Sequence, residues 1–118
     1  MNINSFLKKL KDVAGGNAGM ILIHNGVVRG HARDGRLVSA VDVEVDRVRL
    51  DEIIKDARRL SGVMAVDAEI REGHLEVGDD VMLLGVAGDI RENTISALAL
   101  TLDRIKKEVT KKKEYYIA

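Results

Sequence analysis

The 118-residue chain contains no cysteine and no tryptophan, and has only one phenylalanine and two tyrosines. Without cysteine there is no disulfide, no thiolate metal site and no sulfur nucleophile belonging to the chain itself. With so few aromatics the core has to be aliphatic, and platforms on which bases could stack are nearly absent. No apolar run approaches the ~20 residues needed to span a bilayer. The first residues lack the apolar core and small-residue cleavage site of a secretory signal, so a cytoplasmic location is the expectation. Net charge is missing too: 19 Lys and Arg balance 19 Asp and Glu. That balance argues against nucleic acid or an anionic membrane as a whole-surface partner.

What is present is a globular balance, 46% apolar and 32% charged, over a length that suits one domain, residues 1–118. The charge is unevenly spread. Lys106 to Lys113 holds five lysines and one glutamate, whereas Asp42 to Glu52 holds five acids and two arginines.

Residues 4–13 are expected to be a short helix capped by Ser5, with Phe6, Leu7, Leu10 and Val13 on its apolar face. Gly15-Gly16-Asn17 ends it. Gly19 to Val28 reads as a strand. Arg29 to Gly35 is a polar loop, and Arg36 to Asp46 alternates as a half-buried strand, with Val41, Val43 and Val45 opposed to Asp42, Glu44 and Asp46. The two strands and their loop are expected to form a hairpin. Arg49 to Leu60 has helical spacing. Met64 to Ile70 is a further strand, and a short link carrying His74 and Leu75 leads to Val81–Ala87, the most apolar strand. A last helix follows Gly88, with Ile95, Leu98, Leu102, Ile105 and Val109 as its stripe and Asp89 as its N-cap. If that helix continues, Lys106 and Lys113 fall on one side of it about two turns apart. The order implies an α+β fold: a two-layer sandwich with a mostly antiparallel sheet and three main helices.

Cations are the candidate chemistry. Arg29, His31 and Arg33 share a glycine-containing loop, and a guanidinium fork suits phosphate or carboxylate. Arg91 stands in the first turn of the last helix, where unpaired N–H groups favour anions. Each also has a plainer explanation: a solvated hairpin loop, and a basic helix end that favours the dipole. Lys106 adjoins the buried stripe, and a catalytic lysine needs such partial burial or neighbouring cations. His24, His31 and His74 have no metal-ligand spacing, so no metal and no cofactor are expected.

The pattern resembles the large, catalytic subunit of molybdopterin synthase over nearly the whole chain. Gly26-Val27-Val28-Arg29 with Gly35 is similar to that family's G-x-V-R…G, and Glu44 fits its acidic position. Gly73 to Asp79 is similar to G-x-L-x-x-G-D. Arg91 corresponds to the arginine of a His-Arg pair, and Asp103, Lys106 and Lys113 to D-x-x-K…W-K, without a gap. The family's histidine is Ile90 here, its proline is Thr110, its tryptophan is Lys112, and the aromatic residue usual four after the arginine is Ile95. The resemblance implies sulfur transfer from the C-terminal thiocarboxylate of a small ubiquitin-like subunit to cyclic pyranopterin monophosphate, forming the molybdopterin dithiolene. It implies Lys106 and Lys113 as catalytic groups and Arg29, His31 and Arg91 as binders of phosphate or carboxylate. It also implies a homodimer of large subunits with a small subunit at each end, a heterotetramer. The alternative is a non-catalytic relative that keeps the dimer and the partner groove, which Ile90 and Lys112 favour.

Overall fold

The computed structural model describes residues 1–117. Its elements are α1 (Ile3–Ala14), β1 (Met20–Val27), β2 (Val38–Val45), α2 (Arg47–Arg58), β3 (Val63–Ile70), β4 (Gly73–Glu76), β5 (Asp80–Gly88), α3 (Arg91–Glu108) and β6 (Thr110–Tyr116). The strands divide into two three-stranded sheets, ordered β1-β5-β3 and β4-β2-β6. Every pairing is antiparallel. The α+β class, the antiparallel pairing and the three helices are those the sequence implies.

β5 explains the first sheet. Val81 through Gly88 are all buried, so this strand needs a partner along both edges and cover on both faces. β1 and β3 take the edges. Leu83 and Ala87 project into a small core with Phe6, Leu10 and Ala14 of α1. Met82, Leu84 and Val86 project the other way, into the larger core with α2 and α3. Helices therefore cover both faces of this sheet. The inner face of the second sheet, with Val41, Val43 and Leu75, joins the same larger core.

The expected hairpin between Gly19–Val28 and Arg36–Asp46 does not form: its strands lie in different sheets. Val28 donates to Asp79 O and Gly78 N donates to Val28 O, at 2.9 Å each, so the chain leaving β1 is tied to the β4–β5 turn instead. The link around His74 is itself a strand, β4, because Leu75 is buried against β2 opposite Val41.

The last helix does not run on through Lys113. It stops at Glu108, and the lysine run forms β6 along the free edge of β2. Asp46 N–H donates to Val109 O at 2.9 Å, and Lys111 and Lys113 then lie opposite Glu44 and Asp42. Opposite charges across an antiparallel pair contribute about 0.2–1 kcal/mol each, and the strand's own hydrogen bonds follow. Two neighbouring acids on β2 thus select extended geometry for a segment that would favour a helix end in isolation.

Local details shift as well. Asn2, not Ser5, caps α1: its side chain accepts from Ser5 N at 3.0 Å. Val13 is 72% exposed, one step beyond the face that Phe6 and Leu10 bury. The buried face of α3 is Thr94, Ala97, Thr101 and Ile105, while Ile95 is 46% exposed. Small residues win because α3 approaches the sheet closely; a Cβ on Gly88 would collide with Thr94. The two threonine hydroxyls donate to Ile90 O and Ala97 O, so their burial leaves no polar group unpaired. Asp89 is not the N-cap residue. Ile90 occupies that position, and Asp89 accepts from Ile90 N at 2.6 Å and from Asn93 Nδ2 at 2.9 Å.

On the opposite face, Gly85 is the point where α1 seats. A Cβ there would run into Leu10 and Phe6, which are 2% and 1% exposed and have no free space to yield. Gly85→Ala is expected to lower unfolding free energy by about 1–3 kcal/mol. The measurement is a reduced urea midpoint at unchanged slope; an unchanged midpoint would remove α1 from this role.

Candidate functional site

A cleft of about 740 Å³ opens between the loop after β1, the inner face of β2, the end of α3 and β6. The loop is built rather than slack. Val28 and Ala32 are buried, Ala32 N donates to Arg36 O, Val38 N donates to Gly30 O, and Gly35 turns the chain at φ +90°. Anchoring Val28 and Ala32 inward leaves Arg29, His31 and Arg33 exposed on the cleft side. Arg36 is already engaged. Its Nε donates to Asp34 at 2.7 Å, and its guanidinium carbon lies 3.9 Å from the Tyr116 ring centroid. The N–H of Arg36, ahead of its guanidinium, holds the Asp34 carboxyl below the usual range.

From the other side come Lys106, next to the fully buried Ile105 on α3, and Lys112 on β6. Behind them stands His24 of β1, partly buried. Its imidazole pKa is lowered, first by burial and then by the charges of Lys106 and Lys112. Lys112 is lowered too, by loss of water and by Lys106, with Glu114 opposing. Arg29, Arg33, Lys106 and Lys112 thus bring four cations to one cleft.

The structure brings Arg29, His31 and Lys106 to one cleft and leaves two other sequence candidates outside it. Arg91 begins α3 and Lys106 lies near its end, fifteen residues or about 22 Å along the axis. Lys113 leaves β6 on the outer face of the second sheet, its ammonium 5.2 Å from the Tyr115 ring centroid. That face carries its own cluster. Asp42 accepts from His74 Nδ1 at 2.7 Å and from the Tyr115 hydroxyl, contacts that lower the Asp42 carboxyl pKa, Tyr115 first. Among the described residues no group of three or more His, Asp or Glu side chains is arranged to hold a metal. No described helix is long and apolar enough to cross a membrane.

A family model described as MoaE protein matches residues 2–108. The chain belongs to the MoaE family. The fold is similar to molybdopterin synthase from Staphylococcus aureus, at 20% identity and a TM-score of 0.78, covering 94% of this chain and 84% of that one. It is also similar to molybdopterin cofactor biosynthesis protein E from Burkholderia multivorans, at 22% identity and a TM-score of 0.78, covering 99% and 84%. A third neighbour is a complex of subunits 1 and 2 of the molybdopterin-converting factor from Helicobacter pylori, at 17% identity and a TM-score of 0.73, covering 98% and 84%. No curated protein matches the chain.

Against this MoaE frame, sequence reasoning missed Lys112, Arg36 and Tyr116 as cleft residues, and His24 as a neighbour of the two lysines. His24 carried no spacing signal. Lys112 and Tyr116 become visible only once residues 110–116 are known to be a strand whose alternate members share a face.

His24 yields a pH test. Its folded pKa lies below the ordinary 6.5, so the unfolded chain binds this proton more readily. The histidine's contribution to stability is fully present above pH 6.5 and is lost as pH falls through the folded pKa. Thermal unfolding from pH 7.5 to 5 should show His24→Gln losing less stability than the parent; parallel curves would show that the imidazole is not perturbed.

Proposed function

We propose that the protein is the catalytic subunit of molybdopterin synthase. In this reading it transfers sulfur from a C-terminal thiocarboxylate on a small ubiquitin-like carrier to cyclic pyranopterin monophosphate, generating the molybdopterin dithiolene. Membership of the MoaE family supports a role in molybdenum cofactor biosynthesis. The observation that carries the finer reading is the cleft: Arg29, His31 and Lys106 line one concave site in a chain without cysteine. Such a site supplies positive charge but no sulfur, so the sulfur has to arrive on another molecule.

Both implied reactants are anionic, a phosphate ester and a thiocarboxylate. Arg29 and His31 hold these groups, Arg29 through its planar fork. Lys106, beside the buried end of α3, stabilises charge that develops as sulfur bonds to a pterin carbon, and it donates or accepts the accompanying proton. Atom balance requires, for each of the two sulfurs, that the carrier's acyl carbon exchange its bond to sulfur for one to water oxygen, restoring a carboxylate, while the pterin carbon that gains sulfur gives up its bond to oxygen. Lys113, the second lysine of the resembled motif, leaves β6 on the opposite face and takes no part at this cleft. Arg91, a helix length away from Lys106, serves the site of a second copy in a homodimer. A small subunit bound to each copy completes the heterotetramer; the Helicobacter pylori neighbour, itself a two-subunit complex, supports such a partner.

The test mixes the protein with a thiocarboxylated small subunit and the pterin precursor, and measures dithiolene. Lys106→Ala is expected to lower turnover by about a hundredfold or more. Its melting temperature and partner binding should stay near the parent's, because exposed substitutions usually change stability by less than about 0.5 kcal/mol. Full activity in that variant would sink the assignment. Partner binding by the unmutated protein without any product would favour the non-catalytic relative, to which the exposed Ile90, with no imidazole, also points.

A shared site makes a separate prediction. Arg91→Ala and Lys106→Ala subunits, each inactive alone, should regain partial activity when mixed and allowed to exchange. Absence of any recovery, with exchange confirmed, would confine Arg91 to a role outside the site.

A further inference from the structure

β6 decides which lysines can meet a ligand. Side chains leave a strand alternately to its two faces, so neighbours in sequence are separated by the sheet itself. Lys113 is paired with Asp42, and Lys112 with Val43. Asp42 belongs to the outer face, where His74 and Tyr115 engage its carboxylate. Val43 is 2% exposed in the core that backs the cleft. Lys112 accordingly lines the cleft with Lys106, and Lys113 does not.

We propose that Lys112, rather than Lys113, is the second substrate-facing ammonium of this cleft, paired with Lys106 to hold an oxyanion. The residue stands where the resembled family has tryptophan, so the charge is a property of this chain. Electrostatics separates the two lysines in the same direction as geometry. Lys113 has an acid directly across the strand pair and an aromatic face beneath its ammonium. Lys112 has an apolar residue across from it and meets Lys106 from α3, His24 from β1 and Glu114 from its own strand. Of those groups only Glu114 compensates its charge. Gathering Lys106 and Lys112 costs free energy in the empty cleft, and a bound phosphate or carboxylate removes that cost. The Lys112 ammonium is disfavoured first by burial and then by the charge of Lys106, with Glu114 opposing.

The identity of the oxyanion rests on the sulfur-transfer reading; the placement of Lys112 does not. The experiment therefore has two arms. In the first, the intact protein is treated with pyridoxal 5′-phosphate, whose aldehyde condenses with unprotonated amines and whose phosphate seeks an anion site. The imines are reduced with borohydride and the labelled lysines mapped. Lys112 and Lys106 should label ahead of Lys111 and Lys113. Protection by inorganic phosphate but not acetate identifies a phosphate-ester site, and the reverse identifies the site of a carrier carboxylate. Equal labelling of Lys111, Lys112 and Lys113 overturns the placement.

In the second arm, dithiolene formation is compared across single variants. Lys112→Ala should lower kcat/KM by about tenfold or more, as loss of a charge-assisted contact does, and Lys112→Arg should restore most of it. Lys113→Ala should stay within about threefold of the parent, as an exposed ion pair predicts. The opposite order overturns the inference. If the unmutated protein forms no dithiolene yet labels selectively at Lys112, the sulfur-transfer reading fails while the oxyanion site stands.

Discussion

The burial of β5 on both faces is the constraint from which the rest of the architecture follows. A strand with no wet face has to be roofed twice, and the chain meets this with glycines at two opposed points. Gly85 admits Phe6 and Leu10 of α1 from one side, and Gly88 admits Thr94 of α3 from the other. Each fully buried Leu, Val or Phe gained in this way contributes about 1.5–3 kcal/mol relative to exposure. The threonines on α3 serve the same end. They are small enough for close approach, and they satisfy their hydroxyls on their own helix. With α3 fixed at Gly88, its far end reaches the second sheet, and Lys106 arrives beside β6. The cleft is thus assembled by the same strand that organises the core, although only Val81 of β5 lines it.

Much of the fold was legible because it rests on local signals. Alternation marked β2, helical spacing marked α2, and an unbroken apolar run marked β5. Partnership was not legible. β1 and β2 follow one another across a loop with a turn signal, so a hairpin was the natural expectation; the hydrogen bonds of Val28 to Asp79 and Gly78 divert the chain. No local property of Gly19–Val28 reports that β5, more than fifty residues later, has an edge to fill. The stripe on α3 failed for a related reason. Periodicity counts large apolar residues, whereas close packing against Gly88 selects small ones, so the buried face lies on Thr94, Ala97 and Thr101 rather than on Ile95.

The candidate site shows the same division. Arg29 and His31 were recognisable because a glycine-bearing loop between two strands is short enough for its cations to share one region of surface. Lys106 was recognisable from its place beside Ile105. The relation between Lys106 and the later lysines was not, because a basic segment after a helix has two good solutions. As a helix end it favours the dipole; as a strand it can face acids. The deciding residues, Asp42 and Glu44, lie some seventy positions earlier, and they matter only once β2 presents an open edge. Phase then becomes functional, since a helix groups residues seven apart and a strand separates consecutive ones.

That phase also gives zero net charge a structural meaning. The acids and bases of this chain do not neutralise one another evenly. On α2 and α3, Arg49 and Arg104 are tied to Glu52, Asp56 and Glu108, and on the outer face of the second sheet Asp42 and Glu44 lie opposite Lys113 and Lys111. These pairings use up acids away from the cleft. Within it, Asp34 is bound to Arg36, which leaves Glu114 facing Arg29, Arg33, Lys106 and Lys112. A neutral protein can therefore present a concave site that is strongly positive over the dimensions of a small anion. Because that positive potential comes from lack of local compensation and not from overall charge, it acts at short range, within about one Debye length of roughly 8 Å at physiological salt. Such a field favours an anion already delivered into the cleft over long-range capture from solution.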